Sequence, residues 1–158
     1  MLAERRPDYV VVLSCLWDVA ERRIPGDRTW RIPGDPVLDD WLRRSIGESI
    51  DVLASTGARV VWLTCPYISP VYSPQNFMGR GPYKEADPAR TDRWNQLVRE
   101  VAATRPEVVV WDLAGLLERI WAGGQLDPQQ RPDGVHFTEQ SSYDVIAALA
   151  PDLASRSL

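Results

Sequence analysis

Three short apolar runs, rich in β-branched residues, constrain this chain more than any other feature. They are "DYVVVLSC" (Asp8 to Cys15), "ARVVWLTC" (Ala58 to Cys65) and "EVVVWDL" (Glu107 to Leu113). Each is too short for a buried helix and lacks the alternation of a strand with one wet face, so each reads as a strand buried in a parallel sheet. Helical periodicity separates them. Leu38, Trp41, Leu42, Ile46, Ile50 and Leu53 recur at three- and four-residue spacing from Pro36 to Thr56, with Asp35 as N-cap and Gly57 as C-cap. Trp94, Leu97, Val98 and Val101 mark a second helix from about Thr91 to Thr104. Leu116, Leu117, Ile120 and Trp121 suggest a third, ended by Gly123 and Gly124. A last helix begins near Thr138, and Pro151 is expected to kink or end it.

Strands alternating with helices predict an α/β fold: a parallel sheet of about three strands with helices on both faces, joined by right-handed crossovers. At 158 residues the chain suits one domain, 1–158, around one core. Two loops interrupt the pattern. "AERRIPGDRTWRIPGD" contains a duplicated Ile-Pro-Gly-Asp that favours turns, and its Glu21–Arg23 reads as a solvated face. "PYISPVYSPQNFMGRGPYKEADPAR" carries five prolines and two glycines, and a loop of that length in a small domain is commonly functional.

A net charge of -4 without a lysine/arginine stripe argues against a nucleic-acid partner. No apolar run is long enough to span a bilayer, and "MLAERRPDYVVVLSC" lacks a signal-peptide pattern, so a cytoplasmic protein is expected. Cys15 and Cys65 make no disulfide framework and no zinc spacing, which leaves free thiols as the expectation and no metal or other cofactor implied.

The single histidine, His136, stands in "RPDGVHFTEQ", three residues after Asp133. Histidine exchanges protons at neutral pH, and a neighbouring carboxylate can fix its tautomer. In a parallel α/β sheet, ligands bind beyond the C-terminal ends of the strands. Three segments reach that edge: "SCLWD", "TCPY" and the loop carrying Asp133 and His136. Their convergence favours a catalytic role for His136 over a simple helix start.

"DGVHFT" before a final helix, together with "RPDYVVVLSCLWD", "GARVVWLTCPY" and "DRWNQLVREVA", resembles the ordered blocks of SGNH (GDSL-type) hydrolases. The likeness is strongest to the SGNH domain joined to actinobacterial membrane O-acyltransferases, and it runs from about Arg6 to Leu153. It implies a flavodoxin-like SGNH fold, a general-base role for His136 and an orienting role for Asp133. It also implies hydrolysis or transfer of an acyl ester of a small molecule or glycan. Ser14, Cys15, Trp17, Asp18 and Tyr67 would then border the substrate.

The departures from the family pattern are specific. The chain has no Gly-Asp-Ser, the family's nucleophile block, and starts at what would be the third strand, as an N-terminally truncated form. Where the family has Gly-x-Asn-Asp, this chain has Cys15-Leu16-Trp17-Asp18, and an indole N–H does not replace the oxyanion-binding amide. Two further readings therefore stand beside the hydrolase. One is a non-catalytic binding or interaction module. The other is a thiol-dependent enzyme pairing Cys15 or Cys65 with His136. Ser69, Ser73, Ser141 and Ser142 read as loop and cap residues, Asn95 as a loop contact and Asp112 as a helix cap. Without the first strands, Tyr9–Leu13 becomes an uncharged edge, which predicts a homodimer through that edge or a partner chain that supplies the missing strands.

Overall fold

In the computed structural model, which describes residues 6–74 and 79–155, the three apolar runs form the strands β1 (Tyr9–Leu13), β2 (Arg59–Leu63) and β3 (Val108–Trp111). They make one sheet in the order β1-β2-β3 with both pairs parallel. The register sets Val12 beside Trp62 and Trp62 beside Val110, and Leu13 beside Leu63. Central β2 is buried on both faces, with Val60, Val61, Trp62 and Leu63 at 4% exposure or less.

Side-chain alternation along the strands divides the core in two. Helices α1 (Leu16–Val19), α2 (Pro36–Ala54) and α3 (Pro88–Ala102) cover the face carrying Val60, Trp62 and Val108. Helices α4 (Leu113–Ile120) and α5 (Glu139–Ser155) cover the face carrying Val61, Leu63 and Trp111. The expected α/β architecture, with helices on both faces of a three-stranded parallel sheet, is therefore present. Helix α2 presents Leu38, Leu42, Ile46 and Ile50 to the sheet, all nearly inaccessible. Asp35 caps it through its carboxylate, which accepts from the Val37 and Leu38 N–H groups. Gly57, at φ +87, turns the chain into β2.

Several boundaries differ from the sequence reading. Helix α3 starts at Pro88 rather than Thr91 because Asp87 accepts from the Ala89 N–H, and proline is preorganised for a first turn. The single-turn α1 was not expected in "CLWD". Pro151 does not end α5, which continues to Ser155. Its ring deprives the Ala147 carbonyl of a donor, and Ala147 and Pro151 are both exposed. Asp112 precedes α4 without capping it by side chain. The cap comes from the neighbouring strand end, where the buried Thr64 hydroxyl accepts from the Ala114 N–H and donates to Asp112 Oδ1.

The duplicated Ile-Pro-Gly-Asp forms two similar turns. Asp27 N–H bonds the Ile24 carbonyl and Asp35 N–H bonds the Ile32 carbonyl. Gly26 and Gly34 take the positive φ that such a turn demands at its third residue. Arg31 clasps both, donating Nε and Nη2 to Asp27 and Nη1 to Asp35. Within the long loop after β2, only the single 3-10 turn Lys84–Ala86 is regular among the described residues, and positions 75–78 lie outside them.

Edge strand β1 bonds β2 alone among the described residues, as the sequence implies. On the α4/α5 face its Val11 and Leu13 are 40% and 44% exposed, so no helix closes over them.

The Arg31 clasp gives a pH signature. Asp27 is held down at about 2, chiefly by the Thr29 backbone N–H and then by Arg31. Its unfolded value is about 3.9, so its stabilising effect is complete above that pH and fades as pH falls through the folded value. In an NMR titration, the Thr29 amide proton should move with a midpoint near 2. A midpoint near the unfolded value would mean that the clasp does not form in solution.

Candidate functional site

The loop that carries Asp133 and His136 is organised by a residue that the motif does not advertise. Arg131 is 2% exposed. Its Nη1 donates to the carbonyls of Tyr67 and Gln125, and its Nε and Nη2 donate to the Val135 carbonyl. Burial pushes the guanidinium down to about 10, against the pull of the nearby Asp133 charge, so it stays protonated at neutral pH. Its plane lies 5.4 Å from the Phe137 ring centre, and Phe137 meets Trp121 edge-on.

Backbone bonds fasten the same loop to the segment after β2. Ser69 N–H bonds the Gly134 carbonyl, and Val71 N–H bonds the Asp133 carbonyl, each at 2.9 Å. Position 134 must be glycine on two counts. Its φ is +73, and a Cβ there would lie 1.8 Å from the Ser69 carbonyl oxygen. The Pro-Asp-Gly sequence is thus the means by which the histidine loop lies against the C-terminal end of the sheet. Thr138 then starts α5 by accepting from the Ser141 N–H.

Asp133 binds His136 twice. Oδ1 accepts from the backbone N–H groups of Val135 and His136, and Oδ2 lies 2.6 Å from His136 Nδ1. Partial desolvation would raise the Asp133 carboxyl, but its bonds from the His136 ring and the two N–H groups outweigh this and hold it below the usual range. An ionised Asp133 accepts a hydrogen bond from Nδ1–H, the tautomer that leaves the Nε2 lone pair as a base. The His136 side chain is 74% exposed. A shallow cavity of about 300 Å³ lies in front of it, walled by Val71, Ser73, Pro132, Asp133 and Phe137. Such a pair can accept a proton from a hydroxyl or water and return it to a leaving group.

The other residues expected at this site occupy the same sheet edge with different partners. Ser14 donates to the Asp18 carboxylate, and burial pushes Asp18 up despite that bond and the nearby Arg22. Trp17 is 63% exposed, and its carbonyl accepts from Arg22. Tyr67 donates its hydroxyl to Asp92 at 2.8 Å and its N–H to Gln125. Asn95 is a loop contact, as expected: its amide bonds both the N–H and the carbonyl of Cys65. Arg22 departs from the solvated-face reading, since its guanidinium sits over Trp41 and bonds the Trp17 carbonyl. Arg131 is the functional-loop residue that sequence reasoning missed, and no spacing in "QQRPDG" marks it. Among the described residues, no group of three or more His, Cys, Asp or Glu is placed to hold a metal ion.

The free-thiol expectation is corrected. Cys15 and Cys65 form a disulfide with Cα atoms 5.2 Å apart, and neither thiol is free. The cause is register: Leu13 pairs with Leu63, so the residues two positions further on emerge side by side at the C-terminal ends of β1 and β2. The thiol-dependent reading loses its nucleophile in this state. Also on this edge, Trp94 Nε1 donates to the Ser14 carbonyl, tying α3 to the end of β1.

The chain matches no protein-family model and no curated protein. Among the described residues, no helix is long and apolar enough to cross a membrane.

The disulfide closes a ring over a sequence separation of 50. Reduction, or the double change Cys15→Ser and Cys65→Ser, is expected to cost about 2–4 kcal/mol in urea denaturation. Thiol reagents should label the native protein only after reduction. Rapid labelling of unreduced protein would restore the free-thiol reading.

Proposed function

We propose that this chain is an SGNH-like ester hydrolase or O-acyltransferase domain in which His136 is the general base and Asp133 holds its tautomer. The observation that carries the reading is the 2.6 Å Nδ1–Oδ2 contact at an open cavity. In the reaction, a hydroxyl oxygen attacks the acyl carbonyl while its proton passes to His136 Nε2. The tetrahedral intermediate then expels the alkoxide, which takes that proton as it leaves. The substrate is an acyl ester of a small molecule or glycan. The family's serine block has no counterpart among these 158 residues, and its attacking serine is lost, truncated or supplied by another chain.

A non-catalytic binding module is the second reading, and Trp17 at the family's asparagine position favours it. An indole there gives no amide for an oxyanion, a loss that commonly costs about 3 kcal/mol of transition-state stabilisation. A cytoplasmic location was the expectation from the N-terminal sequence. The Cys15–Cys65 link weighs against it, because such bonds persist in oxidising compartments.

Two experiments test these proposals. His136→Ala should abolish hydrolysis of p-nitrophenyl esters while leaving stability within about 1 kcal/mol, as expected for an exposed loop. Full activity in that variant sinks the base assignment, and a wild-type chain inactive with every ester points to the binding module or to a serine supplied by another chain. The proposed assembly is a homodimer through the Tyr9–Leu13 edge, with a strand-donating partner as the other form. Sedimentation equilibrium at low micromolar concentration should give the dimer mass. A monomer with slowly exchanging Val11 and Val12 amides would overturn edge pairing.

A further inference from the structure

Among the described residues, one hydroxyl shares the cavity in front of His136. Val71, Pro132 and Phe137 give that space its apolar walls, Asp133 and His136 form the pair, and the remaining side chain is Ser73. Its position follows from the chain before it. Ser69 N–H bonds the Gly134 carbonyl and Val71 N–H bonds the Asp133 carbonyl, so the segment is fastened to the loop that holds the histidine. From Pro66 to Ser73 it contains no helix, turn or bend. In an extended chain, residues two apart point to one side. Val71 and Ser73 accordingly both face the cavity, while Tyr72 between them stacks under Arg80, whose guanidinium carbon is 4.6 Å from the ring centre.

Ser73 is half-buried, so a ligand in the cavity can reach it. The hydroxyls that follow His136 serve the start of α5 instead. Ser141 is fully buried and bonds Gln130, and Ser142 donates to the Thr138 carbonyl. A serine hydroxyl is a weak nucleophile until a base takes its proton. Asp133 holds Nδ1 of the only histidine, which leaves Nε2 for that proton.

We propose that Ser73 is the nucleophile of this cavity, so that the chain holds a serine, a histidine and an aspartate in one place without the family's serine block. The inference rests on the general-base reading of His136. Ser73 Oγ attacks an acyl carbonyl carbon while its proton passes to His136 Nε2. The ester C–O bond breaks, the alcohol leaves with that proton, and the acyl group stays on Ser73. Water then attacks the acyl carbon and gives a proton to Nε2. The C–Oγ bond breaks, the acid departs, and Oγ takes the proton back.

A fluorophosphonate reads the nucleophile without an ester substrate: an Oγ–P bond forms, the P–F bond breaks, fluoride leaves and the serine proton goes to Nε2. Mass spectrometry of the oxidised wild-type chain should find one adduct, on the peptide with Ser73. Labelling should vanish in Ser73→Ala and slow by at least about a hundredfold in His136→Ala. An adduct on another serine, or none, overturns the proposal. Ser73→Cys gives an independent reading, because both native cysteines are paired and the new thiol is the only free one. At about pH 6.5, where an unassisted thiol titrating near about 8.5 is mostly protonated, iodoacetamide should alkylate it at least about tenfold faster than in the double variant with His136→Ala. Equal rates overturn the proposal. If the wild-type chain cleaves p-nitrophenyl esters through His136 and Ser73→Ala cleaves them as fast, the base reading stands and only the nucleophile assignment falls. If Ser73 is labelled as fast in His136→Ala as in the wild-type chain, the base reading falls and takes the proposal with it.

Discussion

Burial of β2 on both faces is the constraint on which the remaining structure depends. With three strands among the described residues, one central strand separates two cores, closed by α1, α2 and α3 on one face and by α4 and α5 on the other. Trp62 and Val60 point into one core, Val61 and Leu63 into the other. Because β1 and β3 each pair with β2 alone among the described residues, the register of this strand also decides which residues meet at the C-terminal edge. Cys65 meets Cys15, Thr64 reaches Asp112 and Ala114, and Tyr67 meets Arg131. The cap, the covalent link and the histidine loop are thus all set by the end of one five-residue strand.

The Asp133–His136 pair illustrates how a buried charge can support an exposed side chain. Arg131 makes no contact with the imidazole in the bonds described, but it gathers three carbonyls from both sides of the loop. Leaving those carbonyls unpaired would cost about 1–3 kcal/mol each. Asp133 then needs only local geometry to hold the ring. The rigid element here is the guanidinium beneath the loop, while the histidine itself stays open to solvent.

Periodic features were the legible part of this sequence. Leu38, Leu42, Ile46 and Ile50 announce one helix, Asp35 announces its start, and the three β-branched runs announce the sheet, because each signal is local. Asp133 and His136 were also legible, since a contact across three residues is encoded by spacing. The disulfide was not, because its partners are far apart in sequence and only strand register makes them neighbours. Nor was the role of Arg131, whose acceptors come from three separate segments. Asp112 misled because local propensity was overridden by a threonine from the adjoining strand.

The Cys15–Cys65 link encloses α1, the turn pair, α2 and the whole of β2 within a covalent loop. The exposed stretch between the two Ile-Pro-Gly-Asp turns, with Arg28, Thr29 and Trp30 at its tip, is the natural place for a protease to cut. A cut there opens the ring but severs nothing from the molecule, for the two pieces stay joined through sulfur. The oxidised protein could therefore be nicked at this loop and still migrate as one species until a reductant parts the halves.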